Sequence, residues 1–563
     1  MAALVVIRDS LLLVAALAGL GLPWLPWLRS WPPLERLALA AGAALLTGGL
    51  AGFGLYAAGL PLGWFWLAPG AGLALALVSR DDTRALLADA EVRGTVGRWA
   101  LLAAAGLGWQ MVVSVYSGAA WQADWYEHFD RAHFFLDRWP REFLFVDVYP
   151  LPSRPPLVNI WSAVLMSAAG GAFFHHQVFL TLLGSLIFLP LAVQVRRAQP
   201  DAAGQWLLLL LLLASPFVIQ NLTFPWTKLP AAFFVLLAWQ QLAPGPTAAA
   251  VGDRRLVVAA LALAGGMLAH YSTGPWTIAF LVAWLTTQRT ELRRPGTRRA
   301  VLLGAGLAAV VFLTWMGWAV AHYGAWTTFA GNTTVALAPS GSIGERVAVF
   351  GTNLLHTLSP VSLVGLDHPL LAQASAWGRL RDGWFILYQL KLWWTVGSAG
   401  AIIAGWLLWR EPAGPGRRFG LITAGLAIAL GLLAHTQPDL LGLTHVVLQP
   451  LVLFMLGWLA GHAGALSRPL AQLYAAGLVL DFCAGILVHF ALQAGWLNRA
   501  VADPWAGYTS ALQASFQSKT NLQLVFLADR GLAPAGVALI GLVLLAGLAG
   551  WRRGRAANSP DSG

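Results

Sequence analysis

Six ionisable side chains crowd into one polar stretch, Trp121–Pro156: Asp124, Glu127, His128, Asp130, Arg131 and His133. On a short helix Asp124, Glu127, His128 and Arg131 follow i, i+3, i+4, i+7 and share one face. A carboxylate beside an apolar boundary has the ingredients of a general base, because burial raises its pKa while nearby cations lower it. Asp124 or Glu127, set against His128 and Arg131, could take a proton from an acceptor hydroxyl or amine, or ligate a divalent cation. The plainer alternative is a helix lying flat on a membrane surface with its charges solvated.

Cations stand at the mouths of later apolar segments. Ser153-Arg154-Pro155-Pro156-Leu157 holds an arginine on a rigid Arg-Pro-Pro turn at the start of one segment. Phe224-Pro225-Trp226-Thr227-Lys228 places a lone lysine at a second mouth, and His270-Tyr271-Ser272 sets polar groups at a third. Each suits a lipid phosphate, and each alone also fits an interfacial anchor. Asp481 lies inside the apolar run Val479-Leu480-Asp481-Phe482-Cys483, where a buried acid is by default a functional candidate. His435, Asp439 and His445 share one short loop. Their spacing matches no strong zinc pattern, so they are read as lining a substrate cavity. His175-His176 reads as a structural pair near the opposite, basic side.

The elements that must position these residues are membrane helices. The 563 residues are 58% hydrophobic and only 10% charged, so a soluble core is not credible. Apolar runs of roughly 20 residues recur from end to end, as membrane-crossing helices require. Twenty-nine tryptophans suit interfacial belts. The single Cys483 excludes an internal disulfide and any cysteine-based metal site. A net charge of +11 does not indicate nucleic-acid binding, because on the assigned loops the excess falls on one side. By the positive-inside rule that side is the cytoplasm, and Trp121–Pro156 faces away from it.

The fold class expected is therefore all-α, a polytopic bundle of about 14 to 16 transmembrane helices. Segments 1–98 form an N-terminal membrane part whose start counts to the outer side, at odds with Arg8. Residues 99–323 make a membrane module with the first outer loop at 118–156. A large outer loop follows at 324–395, and residues 396–563 supply further helices, an outer loop at 491–531 and a basic tail. Between Pro156 and Asn221 the count of crossings is one too many. One of the stretches 157–174, 177–195 and 206–219 is therefore short, re-entrant or fused with its neighbour.

An outer loop bearing Asp124 and Glu127 on a short helix, followed by Arg154-Pro155-Pro156-Leu157 opening the next span, resembles the integral-membrane GT-C glycosyltransferases. Protein O-mannosyltransferases, aminoarabinose transferases of lipid A and the catalytic subunit of oligosaccharyltransferase are similar in this layout. The resemblance covers roughly Trp99 to Tyr323. It implies a polyprenyl-phosphate-linked sugar donor, a catalytic acid in the first outer loop and inversion at the anomeric carbon. It also implies a bacterial inner membrane. By that resemblance Asp124 is the base and Glu127 the second choice. His128, Arg131, Arg154, Lys228, His270, Tyr271 and His445 are expected around the donor phosphate and substrate. The chain departs from the pattern in separating Asp124 from Glu127 by Trp125 and Tyr126. It also carries Lys228 where many relatives have an acid, which argues for a phosphate ligand and against metal dependence.

Two other classes fit less well. A transporter or flippase of lipid-linked sugars needs paired charges deep in several helices and is often built from repeats; neither is evident. An O-antigen ligase or polysaccharide polymerase would carry arginine-rich outer loops, whereas this outer side is charge-balanced. The acceptor, whether protein, lipid or glycan, is not named by the sequence.

Overall fold

The computed structural model describes residues 2–78, 80–113, 122–145, 149–198, 202–244, 251–329, 342–358, 399–411, 413–433, 447–488 and 525–556. Among them the backbone is helical apart from turns and one isolated antiparallel bridge, Phe145 to Tyr149. The helices are α1 (Ala2–Gly21), α2 (Pro33–Ala57), α3 (Leu67–Val78), α4 (Arg80–Ala88), α5 (Ala90–Gln110), α6 (Gln122–Asp137) and α7 (Leu157–Ala169). Next come α8 (Phe173–Ser185), α9 (Phe188–Ala198), α10 (Ala202–Ala214), α11 (Pro216–Thr223), α12 (Lys228–Leu242), α13 (Arg254–Ala269) and α14 (Thr273–Gln288). Last are α15 (Pro295–Phe329), α16 (Ile343–Leu358), α17 (Gly400–Arg410), α18 (Pro415–Leu433), α19 (Gln449–His462), α20 (Arg468–Val488) and α21 (Ala533–Ala556).

The chain is an integral membrane helical bundle. Six described stretches are long and apolar enough to cross a bilayer on their own: Ala2–Trp24, Pro33–Ala57, Phe173–Ala198, Pro295–Phe329, Arg468–Leu487 and Ala533–Gly554. Two bent pairs raise that to eight, Leu62–Leu77 with Arg80–Ala88 at 85° and Ala202–Ala214 with Phe217–Thr223 at 72°. The second bend has a local cause. Ser215 leaves the helix, accepts a hydrogen bond from the Val218 N–H, and is followed by Pro216 at the first position of α11. Of the expected outer loops 324–395 and 491–531, residues 330–341, 359–395 and 491–524 lie outside the described residues, while 324–329 continue α15 and 343–358 form α16.

The bundle has two chemically distinct ends. One is held by ion pairs of Arg196 with Glu91 (2.6 Å), Arg197 with Glu35 (2.9 Å), and Arg29 and Arg36 with Asp82 (2.7 and 3.3 Å). The start of α13 and the end of α14 also meet there, with Arg255 donating to Gln288 Oε1 at 2.9 Å. This is the basic end. α6 lies at the other, where α2 finishes with Tyr56 against Phe134 and Phe135.

The surplus crossing is α7. Its 13 residues rise only about 20 Å, and both of its ends touch α6. Asn159 near its start bonds His128 at 3.1 Å, and Gly171 just past its end bonds His133 at 2.8 Å. Gly170 terminates it at φ +119°, a conformation that L side chains rarely adopt. Phe173–Ala198 then runs from the α6 end to the basic end as one 26-residue, deeply buried span.

Glycines of α2 let α7 sink against that helix. A Cβ on Gly48 would lie 2.2 Å from the Trp161 ring, one on Gly49 2.5 Å from Leu157, and one on Gly52 2.6 Å from Ile160. Small residues at a membrane helix crossing allow this closeness and the contact energy that comes with it. Trp161 uses it to donate to the Leu45 carbonyl at 2.7 Å. The segment that carries Arg154 is thereby fixed to α2.

Candidate active site

The chemistry predicted for Trp121–Pro156 falls on α6, and α6 is no surface helix. Every residue from Tyr126 to Phe135 is buried. Glu127, His128 and Arg131 share a face as their spacing predicts, and are 0%, 3% and 0% exposed. The reading of a solvated face therefore fails for these three. Asp124 lies in the first turns of α6, but its side chain is outside the described residues.

Arg131 is fully engaged. Its Nε and Nη2 meet Glu127 Oε1 at 2.9 and 2.7 Å, its Nη1 donates to the Leu151 carbonyl at 2.8 Å, and Nη2 donates to Ser153 Oγ at 2.7 Å. The guanidinium also lies 4.1 Å from the centre of the Phe145 ring. Leu151–Ser153 is a single 3-10 turn leading to Arg154, so Arg131 clamps the backbone just ahead of that residue. On the other side of the carboxylate, Arg154 Nη2 stands 3.6 Å from Glu127 Oε2. Burial alone would raise the Glu127 pKa, but Arg154 and Arg131 outweigh it and hold the carboxyl at about 2. Glu127 is thus ionised throughout the physiological range.

His128 is its opposite. Burial drives its imidazole down to about 3, against the pull of Glu127, so it is neutral at pH 7. The Asn159 Oδ1 beside its Nδ1 accepts the ring proton there, which leaves Nε2 as the lone-pair nitrogen.

Residues far away in sequence close the site. Lys228 and Arg154 lie within electrostatic reach of His270, as does His128. The His270 Nδ1 accepts from the Ser272 N–H at 3.1 Å and sits 2.9 Å from Ser272 Oγ, so the proton of the neutral ring is on Nε2. The Lys228 ammonium stands 3.5 Å above the Trp226 ring. Tyr271 donates its hydroxyl to the Pro152 carbonyl at 3.0 Å and receives the Trp315 indole N–H at 3.1 Å, joining α15 to the Arg154 turn. Of the residues expected at the site, Glu127, His128, Arg131, Arg154, Lys228, His270 and Tyr271 converge. His445, with His435 and Asp439, lies outside the described residues.

Three further placements differ from expectation or add to it. His175 and His176 sit at the α6 end and not near the basic side. His176 packs 5.5 Å from Phe129 of α6 and bonds Ser162 at 2.7 Å, while His175 pairs with the fully buried Asp9 of α1. The cause is the shortness of α7, which returns the chain to the end it started from. Arg8 of α1 donates to the Ala169 carbonyl at the same place. Asp481 is buried in α20, which packs on α10 and α11. Sequence reading named Ser153 only as part of the Arg-Pro-Pro motif, with no task, and missed Asn159 and the carbonyls of Leu151 and Pro152; only their proximity to that turn hinted at them. Among the described residues no group of three or more His, Cys, Asp or Glu could hold a metal ion. Glu127 faces two guanidiniums, while Asp130, also buried, and Asp137, beside His133, are the other described carboxylates of α6.

No family model matches the chain, and no curated protein matches it. It is similar to two solved structures of ArnT from Cupriavidus metallidurans. The one bound to undecaprenyl phosphate is 17% identical, covering 83% of this chain and 77% of that chain with a TM-score of 0.46. The apo structure is 18% identical, with 81% and 76% covered and a TM-score of 0.47.

Proposed function

We propose that the chain is a membrane glycosyltransferase that moves a sugar from a polyprenyl-phosphate donor to an acceptor at the α6 end of the bundle. The observation that carries this reading is the convergence of Arg154, Lys228 and His270 from three separate segments beside the Glu127–Arg131 pair. Two fixed cations and a neutral N–H donor at the rim of an apolar bundle suit a phosphate whose lipid tail lies between helices. By the positive-inside rule the basic end is cytoplasmic, so this end is extracytoplasmic. The host membrane in this reading is a bacterial inner membrane.

Arg154, Lys228 and the His270 Nε2–H stabilise the phosphate as it leaves the anomeric carbon, where positive charge aimed at the growing negative charge is the main catalytic term. Asp124 takes the acceptor proton while the acceptor oxygen or nitrogen attacks with inversion. Glu127 is a positioning carboxylate in this scheme. With its pKa near 2 it is too weak a base for neutral pH, and both its oxygens face arginines. Arg131 fixes the turn that presents Arg154. No step is assigned to a metal.

The test is turnover and hydrolysis of polyprenyl-phosphate sugars by purified wild type and Asp124→Asn. Turnover by wild type, with loss in Asp124→Asn while donor lipid still binds, supports the scheme. Full turnover in Asp124→Asn removes Asp124 from the base role. Failure of wild type to bind any polyprenyl phosphate in a direct binding assay overturns the reading itself.

A further inference from the structure

A cavity lies in a different part of the molecule. A groove of about 980 Å³ runs between α10, α19, α20 and α21, at the upper end of the range for small-ligand pockets of about 300–1,000 Å³. Its walls are mostly apolar, including Leu207 and Leu211 of α10 and Ala475 and Leu478 of α20, with Gln472 and Tyr474 as the uncharged polar lining residues. The charged lining residue is Arg468, which opens α20.

Arg468 marks the basic end of the bundle. There Gly554 of α21 packs on Ala203 at the start of α10, and Gly550 packs on Trp206. Trp551 lines the groove at this level, the depth at which membrane tryptophans meet headgroups. Arg468, Arg552 and Arg553 are exposed, and none forms an ion pair with a described residue. The groove is therefore an apolar slot with a cationic rim at one end.

We propose that this groove binds an anionic phospholipid of the basic-side leaflet, with acyl chains between α10 and α20 and its phosphate at Arg468. A zwitterionic lipid would bring its own ammonium among the arginines. A sugar donor of the kind argued above would need its phosphate at the α6 end to react, whereas the groove's cations stand at the opposite end. Basic pockets between membrane helices on the cytoplasmic side are suited to such headgroups. The inference does not depend on the sugar-transfer reading.

The experiment is native mass spectrometry of the full-length purified chain offered phosphatidylglycerol and phosphatidylcholine with identical acyl chains. Wild type should retain phosphatidylglycerol about fivefold more, the worth of one interfacial arginine against an anionic lipid. Arg468→Ala, an exposed position that leaves packing intact, should remove that preference. Ala475→Phe should fill the slot and lower retention of both lipids. Equal retention by wild type, or an unchanged preference in Arg468→Ala, overturns the proposal. So does stoichiometric displacement of phosphatidylglycerol by polyprenyl phosphate, which would assign the groove to the donor.

Discussion

Replacing Glu127 by glutamine separates a carboxylate that positions arginines from one that takes a proton. The side chain is fully buried, with Oε1 on Arg131 at 2.7 and 2.9 Å and Oε2 facing Arg154 at 3.6 Å. Its pKa falls from an ordinary 4.5 to about 2, a shift worth about 3 kcal/mol. Removing one partner of a buried ion pair costs about 3–5 kcal/mol by a separate route, because the remaining charge is left without compensation. The two figures agree, so Glu127→Gln should lose about 3 kcal/mol of stability at pH 7. A lowered folded-state pKa stabilises only while the group is ionised. The difference from wild type should therefore be full above about pH 4.5 and shrink as pH falls towards 2. Denaturant unfolding of the purified chain at stepped pH measures it, and Glu127→Asp should recover part of the loss. Donor turnover over the same pH range provides the second readout. If Glu127 positions Arg154, the residual activity keeps its acid limb and shows a raised KM. A variant with wild-type stability, or a stable one whose acid limb has vanished, refutes the reasoning and makes Glu127 the base.

Other perturbations follow from the same geometry. Burial lowers the His128 pKa from an ordinary 6.5 to about 3, so the unfolded chain binds an extra proton between those values and stability should fall as pH drops through that window. His128→Gln should flatten this slope in unfolding measured at pH 7.5, 5.5 and 4.5. Lys228→Ala should raise the donor KM roughly 10- to 100-fold, the worth of one charged hydrogen bond of about 1.5–3 kcal/mol, with smaller change for the acceptor. Gly48→Ala drives a methyl into the Trp161 ring and should cost about 1–3 kcal/mol. Gly54→Ala, with nothing within 4 Å of the new Cβ, is its control.

The candidate cluster was legible in the sequence because its residues announce themselves against an apolar background. Glu127, His128 and Arg131 are expensive to bring near hydrocarbon, and Arg154, Lys228 and His270 stand where a helix ends, so type and position together were enough to single them out. What the sequence did not carry was their assignment to tasks. Arg131 and Arg154 are the same residue type 23 positions apart, yet one has all three guanidinium nitrogens bonded within the protein and the other lies beside the cluster that would meet a ligand. That distinction rests on where the Leu151–Ser153 turn lies, and a turn of three residues leaves no periodicity to read.

The topology failed to resolve for a related reason. Hydropathy counts apolar residues but does not say whether their surroundings are lipid or protein, and α7 is apolar because α2 and α6 enclose it. Its length, 13 residues ended by Gly170-Gly171, was the available signal. A helix that short cannot cross a hydrocarbon layer of about 30 Å, so it must return to its starting side. That return brings His175 and His176 under α6 and lets Arg8 and Asp9 of α1 tie the α7–α8 turn from beneath. The N-terminal arginine and the surplus crossing therefore meet in one place, where Arg8 donates to the Ala169 carbonyl at the end of α7. The short helix folded back beside α6 keeps the Arg154 turn against Arg131, and a full crossing at α7 would carry that support to the wrong end of the bundle.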